Sequence, residues 1–325
     1  MRARSLLLVL LAGAAPASAA DENGIVLAPA VARPGDAVLV RVTLPPARPP
    51  PTATLAGRPL QLWRKGDELW SVAALPLETP SGTAAVELVW GTLDMARSSA
   101  TLEVVEPGFP SKALTVAPKF VTPPASVKAR IARDKRAFAA AYDRPFTPPL
   151  FAARFAWPHD GAHHGRYGDQ RVFNGKKESV HYGLDIDAPR GAPVRAANDG
   201  EVVLARSCFY SGNTVVLWHG ADLFTLYFHM DRLDVRPGAR VRQGDPLGVV
   251  GSTGRSTGPH LHCSARAAGL LVDPESLMGI DFVAGTAPPR RAGPPPAAPR
   301  KEPPAPATPP EAVAPAAPTA PAPPR

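Results

Sequence analysis

Residues 214–228 read TVVLWHGADLFTLYF, two apolar runs separated by a short segment that contains Gly220. The runs Thr214–Trp218 and Phe224–Phe228 are rich in β-branched and aromatic residues, which favour strands. Further runs of this kind lie on both sides, separated by turns rich in Gly, Pro, Asn and Asp. Because no segment with a helical period interrupts the pattern, we expect an all-β domain over residues 155–283.

A second group of short alternating runs lies between Ile25 and Val105. Its near-regular spacing and its Pro- and Gly-containing turns predict a β-sandwich-like domain over residues 21–106. The region contains no histidine, so we interpret it as a structural or binding module. Its tryptophans could form a carbohydrate-binding platform, but aromatic residues at strand positions more often belong to a core: Trp63, Trp70 and Trp90.

The segment 107–154 is bounded by prolines and is predicted to be a connector with one helix. Ser126 is a candidate N-cap for this helix. Apolar residues recur after it at helical spacing: Val127, Ile131, Phe138 and Tyr142.

The N-terminus combines a basic start at Arg2 and Arg4 with an apolar run and small residues up to Ala20. This arrangement is typical of a secretory signal peptide over residues 1–20, cleaved near Ala19 or Ala20. The apolar run is shorter than the roughly 20 residues that span a bilayer, so we expect no membrane span in the mature protein. The prediction is export, to the periplasm of a Gram-negative cell or as a secreted protein.

Proline and alanine dominate the other end, where residues 286–325 contain 16 Pro and 12 Ala in 40 positions. Such a composition cannot bury a core, so residues 284–325 are predicted to be a disordered tail, either solvated or docking into a Pro-binding groove. The two ends also carry most of the formal charge of +8, which leaves +3 for residues 21–285. Nucleic acid is therefore not an expected partner.

All eight histidines lie in the C-terminal β region. His181 and Asp185 are four residues apart around a glycine, so the backbone can turn both side chains toward one point. His260 and His262 would share one face of a strand, and His229 ends another strand. Any one of these histidines alone would more often be structural. The set favours a metal site, because a catalytic zinc takes three protein ligands and leaves a position for water.

Three motifs carry a resemblance to a known family: His181-x-x-x-Asp185, Tyr227-x-His229 and Thr257-Gly258-Pro259-His260-Leu261-His262. They are similar to the motifs of the lysostaphin-type zinc endopeptidases, the LytM-like peptidases of family M23, which cut peptidoglycan peptides. The resemblance covers about residues 155–277 and implies a catalytic domain built on an antiparallel β-sheet. It also implies that His181, Asp185 and His262 bind one zinc ion (Zn2+) per chain, while His229 and His260 flank the attacking water.

The sequence departs from the family pattern after His262, where Cys263 and Ser264 replace the usual aromatic residue. On a strand Cys263 points away from the face of His262, so it is not an expected ligand. A disulfide between Cys208 and Cys263 stays open, because the sequence fixes no distance between them.

The remaining histidines have less specific interpretations. His159, His163 and His164 could line a substrate groove, although solvated loop residues are the favoured interpretation. His219 is interpreted as a turn residue or as a support for a ligand, and not as a ligand itself.

Together these observations predict an exported zinc metallopeptidase that hydrolyses peptidoglycan cross-links, most simply a D,D-endopeptidase in a Gram-negative periplasm. One alternative is a regulator that activates another cell-wall hydrolase without cutting, although such proteins usually lack the ligands present here. Another is a zinc peptidase that acts on protein or on Gly-rich bridges, since nothing in the sequence identifies substrate subsites.

Overall fold

The computed structural model describes residues 24–43, 50–91 and 96–293. The predicted signal peptide, residues 1–20, lies outside these ranges, as does the part of the predicted tail that follows residue 293. Strand residues far outnumber helical residues in the described chain, as the sequence pattern predicts. No helix in these ranges combines the length and the apolar character needed to cross a bilayer.

The N-terminal region forms two facing β-sheets, which confirms the predicted β-sandwich. One sheet has the strand order β1-β3-β7-β6 and the other β2-β9-β8-β4-β5, with a shared apolar core between them. All neighbours are antiparallel except β2 and β9. The strands are β1 (Ile25–Ala28), β2 (Val31–Ala32), β3 (Ala37–Thr43), β4 (Thr52–Leu55), β5 (Arg58–Leu60), β6 (Trp63–Lys65), β7 (Glu68–Ala74), β8 (Gly82–Trp90) and β9 (Ala96–Val104).

The C-terminal region is built on an antiparallel sheet of eight strands, in the order β11-β14-β22-β18-β17-β16-β20 with β23 beside β22. A smaller sheet, β15-β21-β19, packs into the same core. The strands are β11 (His163–Gly165), β14 (Leu184–Ile186), β15 (Pro193–Arg195), β16 (Gly200–Cys208), β17 (Gly212–Trp218), β18 (Phe224–Met230), β19 (Arg232–Leu233), β20 (Arg240–Val241), β21 (Pro246–Val249), β22 (Leu261–Ala267) and β23 (Leu270–Val272). A short helix, α2 (Pro274–Gly279), follows the last strand.

The sheet that contains β3 and β7 is buried on both faces. Val38 and Val40 of β3 point into the sandwich, whereas Leu39 points into the core of the C-terminal region. Strand β7 alternates in the same way, and Trp70 belongs to the C-terminal core. Trp63 is also buried there, and Trp90 is buried in the sandwich. The three tryptophans are therefore core residues, as favoured above.

The connector is packed against the C-terminal sheet. Its strand β10 (Ser111–Leu114) pairs in parallel with β12 (Gln170–Phe173), which forms a hairpin with β13 (Lys177–Val180). Its helix α1 spans Ala125–Tyr142, after a single 3-10 turn at Pro118–Phe120. Packing orders this segment because its apolar residues, including Phe138 and Tyr142, contact the outer face of the sheet.

The predicted N-cap of α1 is wrong. Ser126 is the second residue of the helix, and Pro124 stands at the N-cap in an extended conformation without a side-chain hydrogen bond. The prediction failed because the first helical turn continues back to the residue that follows the proline. The fixed φ of Pro124 sets this boundary in place of a hydroxyl cap.

Residues 284–293 correct the predicted tail boundary. Arg290 forms ion pairs with Asp273 and, over 3.3 Å, with Asp36, and its backbone N–H donates to Val31 O. These contacts hold the segment against the N-terminal sandwich. Composition did not reveal them, because the ion pairs of a single arginine, Arg290, determine where the segment lies.

Candidate metal centre

Three predicted ligands meet where strands β14 and β22 pair. Asp185 on β14 lies opposite His262 on β22, and His181 immediately precedes β14. His181 Nε2 and His262 Nδ1 lie 3.1 and 3.0 Å from Asp185 Oδ1, and 2.9 Å from each other. Ligands about 2.0 Å from one tetrahedral ion would be about 3.3 Å apart. The three atoms therefore have a spacing that suits a small cation.

The hydrogen bonds behind the two imidazoles fix their tautomers. His181 Nδ1–H donates to Arg166 O over 2.9 Å. His262 Nε2–H donates to Ser264 Oγ over 2.8 Å, and that hydroxyl donates to Tyr182 O. Each ring consequently presents a lone pair to the other ring and to the carboxylate. Three converging acceptors repel one another unless a cation lies between them, so this donor set fits a metal ion such as zinc.

Charge states support the same conclusion. Burial lowers the pKa of His262 to about 4, so its ring is neutral at pH 7. His262 therefore offers a neutral imidazole beside the carboxylate of Asp185.

Arg171 holds the other carboxylate oxygen. Its Nη2 donates to Asp185 Oδ2 over 2.6 Å, which leaves Oδ1 for the cluster. A Cβ at Gly165 would lie 2.3 Å from that same Oδ2, and a Cβ at Gly183 would lie 2.5 Å from His262 Nε2. A side chain at either position would collide with Asp185 or His262, so both positions require glycine. Sequence reasoning missed the role of Arg171, because its partner is 14 residues away on another strand.

A β-bulge aims His229 at the cluster. Asn213 pairs with Met230 and Val215 with Tyr227, so two residues of β18 oppose one residue of β17. His229 has a φ of 64° at this bulge, and its Nδ1–H donates to Thr253 O over 2.8 Å. Bulges of this kind reorient a side chain next to a functional site. Burial, together with the neighbouring histidines, lowers the pKa of His229 to about 3, so the ring is neutral.

His260 lies on the same side of the cluster. Its Nδ1–H donates to Gly258 O over 2.9 Å, and its Nε2 lies 3.6 Å from Asp185 Oδ1. The ring centroids of His229 and His260 are 5.0 Å apart. In both rings Nδ1 is held by a backbone carbonyl, so Nε2 remains available as a proton acceptor.

The five residues predicted from the motifs line one cavity of about 560 Å³. Its opposite wall comes from the connector, which sequence reasoning did not place at the site. Strand β10 and helix α1 contribute Lys112, Leu114, Ile131, Lys135, Phe138 and Tyr142.

The other histidines have separate surroundings. His219 is fully buried, where its Nδ1–H donates to Asp199 O and its Nε2 accepts from Thr225 Oγ1. It is therefore a structural residue. His163 packs on Trp157 at a centroid distance of 4.3 Å. Only His164, of the three residues predicted to lie in a loop, lines the cavity, and both it and His163 lie in strand β11.

The two cysteines are free and buried. Cys263 lies in the C-terminal core, on the face of β22 opposite to His262, as the strand period predicts. Cys208 lies at the end of β16, beside the cavity. The possible disulfide is thus absent from the structure.

Comparison with known proteins places the cluster in a family. The sequence model of peptidase family M23 matches residues 179–274. The chain is 36% identical over 127 residues to the peptidoglycan DD-endopeptidase ShyA of Vibrio cholerae. This alignment covers 39% of the chain and 29% of ShyA. The chain is also 45% identical over 98 residues to the DD-carboxypeptidase/endopeptidase Mpg of Neisseria meningitidis. That alignment covers 30% of the chain and 23% of Mpg. The matches thus span less than a third of either relative.

One solved structure resembles much more of the chain. A protein assigned to peptidase M23 from Pseudomonas aeruginosa superposes with a TM-score of 0.55 at 29% identity, over 76% of this chain and 94% of that one. Its coverage exceeds the family match, so the likeness extends beyond residues 179–274. Fold, sequence match and the His181, Asp185 and His262 cluster agree that residues 179–274 carry a domain that matches peptidase family M23.

Proposed function

We propose that the protein is an exported zinc metalloendopeptidase that hydrolyses the peptide cross-links of peptidoglycan, acting as a D,D-endopeptidase. The observation that carries the proposal is the set of three acceptor atoms within 3.1 Å of one another, flanked by two further imidazoles in one cavity. The names of the relatives ShyA and Mpg support peptidoglycan as the substrate. Export rests on the signal peptide predicted over residues 1–20.

His181, Asp185 and His262 would hold one zinc ion per chain. Zinc bound by three protein ligands lowers the pKa of a water to about 7 and polarises a carbonyl. Ser264 and the carbonyl of Arg166 orient the two imidazoles, and Arg171 orients the carboxylate. These contacts fix the ligand atoms before a metal arrives, which reduces the conformational cost of binding it.

His229 and His260 would move protons. Each ring is held at Nδ1 by a backbone carbonyl, so each can take a proton from water at Nε2 and return it to the leaving amine. A protonated imidazole can also donate to the oxyanion of the tetrahedral intermediate. Hydrolysis by water with these two proton-transferring residues requires no covalent intermediate on the protein.

The test mixes the purified, zinc-loaded chain with peptidoglycan sacculi and analyses the released muropeptides by mass spectrometry. We expect cross-linked dimers to be converted to monomers by the parent and by His159→Ala, a matched histidine outside the cluster, but not by His181→Ala. If the parent leaves the dimers intact, it is not a peptidoglycan endopeptidase. Binding to sacculi without cleavage would favour the regulator instead, and cleavage of Gly-rich peptides alone would favour the other peptidase alternative.

A further inference from the structure

Cationic side chains predominate in the cavity beside the metal centre. Lys112, Lys135, Arg171 and Arg255 line it, against the carboxylates of Asp134 and Asp185. Both carboxylates already have cationic partners, since Asp134 pairs with Arg206 over 3.2 Å and Asp185 with Arg171. Lys112 in turn pairs with Asp169 over 3.0 Å, so the uncompensated positive charge of the cavity comes from Lys135 and Arg255, which form no ion pair with the described residues.

Arg255 is the cation with unused donors. It lies in the loop between β21 and β22, where its backbone N–H donates to Tyr210 O over 2.7 Å. The guanidinium lies over two aromatic rings, 4.4 Å from the centroid of Phe173 and 5.3 Å from that of Tyr210. These rings hold the side chain in place. Among the described residues, no hydrogen bond or ion pair uses its guanidinium N–H groups.

Arg171 lies next to this guanidinium. Arg171 and Phe173 are two residues apart on β12, so their side chains share one face at a spacing of about 7 Å. Because Arg255 covers Phe173, the two arginines are neighbours. Burial lowers the pKa of Arg255, and the positive charge of Arg171 acts in the same direction. Arg171 Nε is buried and has no partner within the described part of the chain.

Two adjacent guanidinium groups with unused donors form a site for an anion, and an arginine fork matches a carboxylate in geometry. We propose that Arg255, assisted by Arg171 Nε, binds a carboxylate of the substrate peptide beside the metal centre and so makes the enzyme select anionic peptides. The inference rests on the proposed peptidase function. The carboxylate can come from the C-terminus of the peptide or from an acidic side chain.

The test uses four synthetic pentapeptides that end in D-Ala-D-Ala, with the C-terminus as carboxylate or carboxamide and with an internal Glu or Gln. Cleavage by the zinc-loaded full chain is compared among the parent, Arg255→Gln and Arg133→Gln, which removes the same charge from an exposed position of α1. We expect Arg255→Gln to lower kcat/KM about 10- to 100-fold for the peptides that carry the recognised carboxylate. Cleavage of their uncharged counterparts should change less than about twofold.

Binding provides a second readout that does not depend on catalysis. Calorimetry with the metal-free full chain should show tighter binding of the carboxylate peptide than of its carboxamide or Gln counterpart, and Arg255→Gln should abolish that difference. If no peptide is cut but this preference is present, the carboxylate site stands, and the sacculus assay alone decides the peptidase proposal, because a D,D-endopeptidase that cuts only cross-linked dimers would leave these pentapeptides intact. If parent and Arg255→Gln discriminate equally in both assays, or neither discriminates, the carboxylate site is wrong.

Discussion

At the scale of single residues, the candidate metal site depends on groups that hydrogen-bond to its three proposed ligands. The Ser264 hydroxyl accepts from His262 and donates to Tyr182 O, so it specifies which imidazole nitrogen faces the carboxylate. We predict that Ser264→Ala weakens zinc binding about 10- to 100-fold, because a buried N–H of His262 loses its partner. Competition with a chelator measures the affinity. Ser264→Thr keeps the hydroxyl and should restore binding, and an alanine variant with parental affinity would contradict the role.

His260 and His181 are predicted to differ in one measurable respect. His260→Ala should keep the metal content of the parent but lower cleavage about 100- to 10,000-fold, because it removes only a proton acceptor. His181→Ala should lose both the metal and the activity. Elemental analysis and the sacculus assay measure the two properties separately. Loss of metal from His260→Ala would make His260 a ligand.

Much of the candidate site could be predicted from local spacing. The strand period places His260 and His262 on one face and Cys263 on the other. The structure confirms the position of Cys263, which lies in the C-terminal core. The pairing of Asp185 with His262, and of Arg171 with Asp185, depends on strand register between distant segments. A single sequence carries no direct signal of that register, so Arg171 and Arg255 were missed.

At the scale of elements, helix α1 differs most from its sequence interpretation. Its apolar spacing predicted a helix but not where that helix packs, because a helical stripe fits any complementary apolar surface. Asp134 is the polar anchor of the docked helix. It accepts from Phe209 N–H over 2.7 Å and pairs with Arg206.

We predict that Asp134→Ala lowers the free energy of unfolding by about 1–3 kcal/mol, because it leaves the buried N–H of Phe209 without an acceptor. Urea denaturation measures the change. Lys128→Ala, at an exposed position of the same helix, should change stability by less than about 0.5 kcal/mol. Equal effects of the two substitutions would show that α1 is not anchored through Asp134.

At the scale of the whole molecule, Arg290 connects segments that are far apart in sequence. It pairs with Asp36 of the N-terminal region and with Asp273 and Glu275 at the start of α2. Burial raises the pKa of Asp36 to about 7, and the charge of Arg290 opposes that rise. Burial likewise raises the pKa of Asp273.

We predict that Arg290→Met lowers the free energy of unfolding by about 3–5 kcal/mol at pH 8, because it leaves buried carboxylates without their cation. Without this cation the pKa of Asp36 rises further above its value in the parent, so the deficit relative to the parent is largest above about pH 7, where the parent's carboxyl group is ionised, and it shrinks as the pH falls and the folded states of both proteins bind the proton. Denaturation at pH 8 and pH 5 should therefore show a smaller deficit at pH 5. Arg291→Met, an exposed neighbour, is the control, and a deficit that does not change with pH would contradict the explanation.

The sheet that contains β3 and β7 has an evolutionary consequence, because one face serves the sandwich and the other serves the peptidase region. Domains that are independent of each other have their own cores and meet through interfaces that are more polar than obligate ones. This sheet instead presents Leu39, Trp63 and Trp70 to its partner. The sandwich and the peptidase region would therefore be inherited and diversify as a matched pair, with substitutions on one surface compensated on the other.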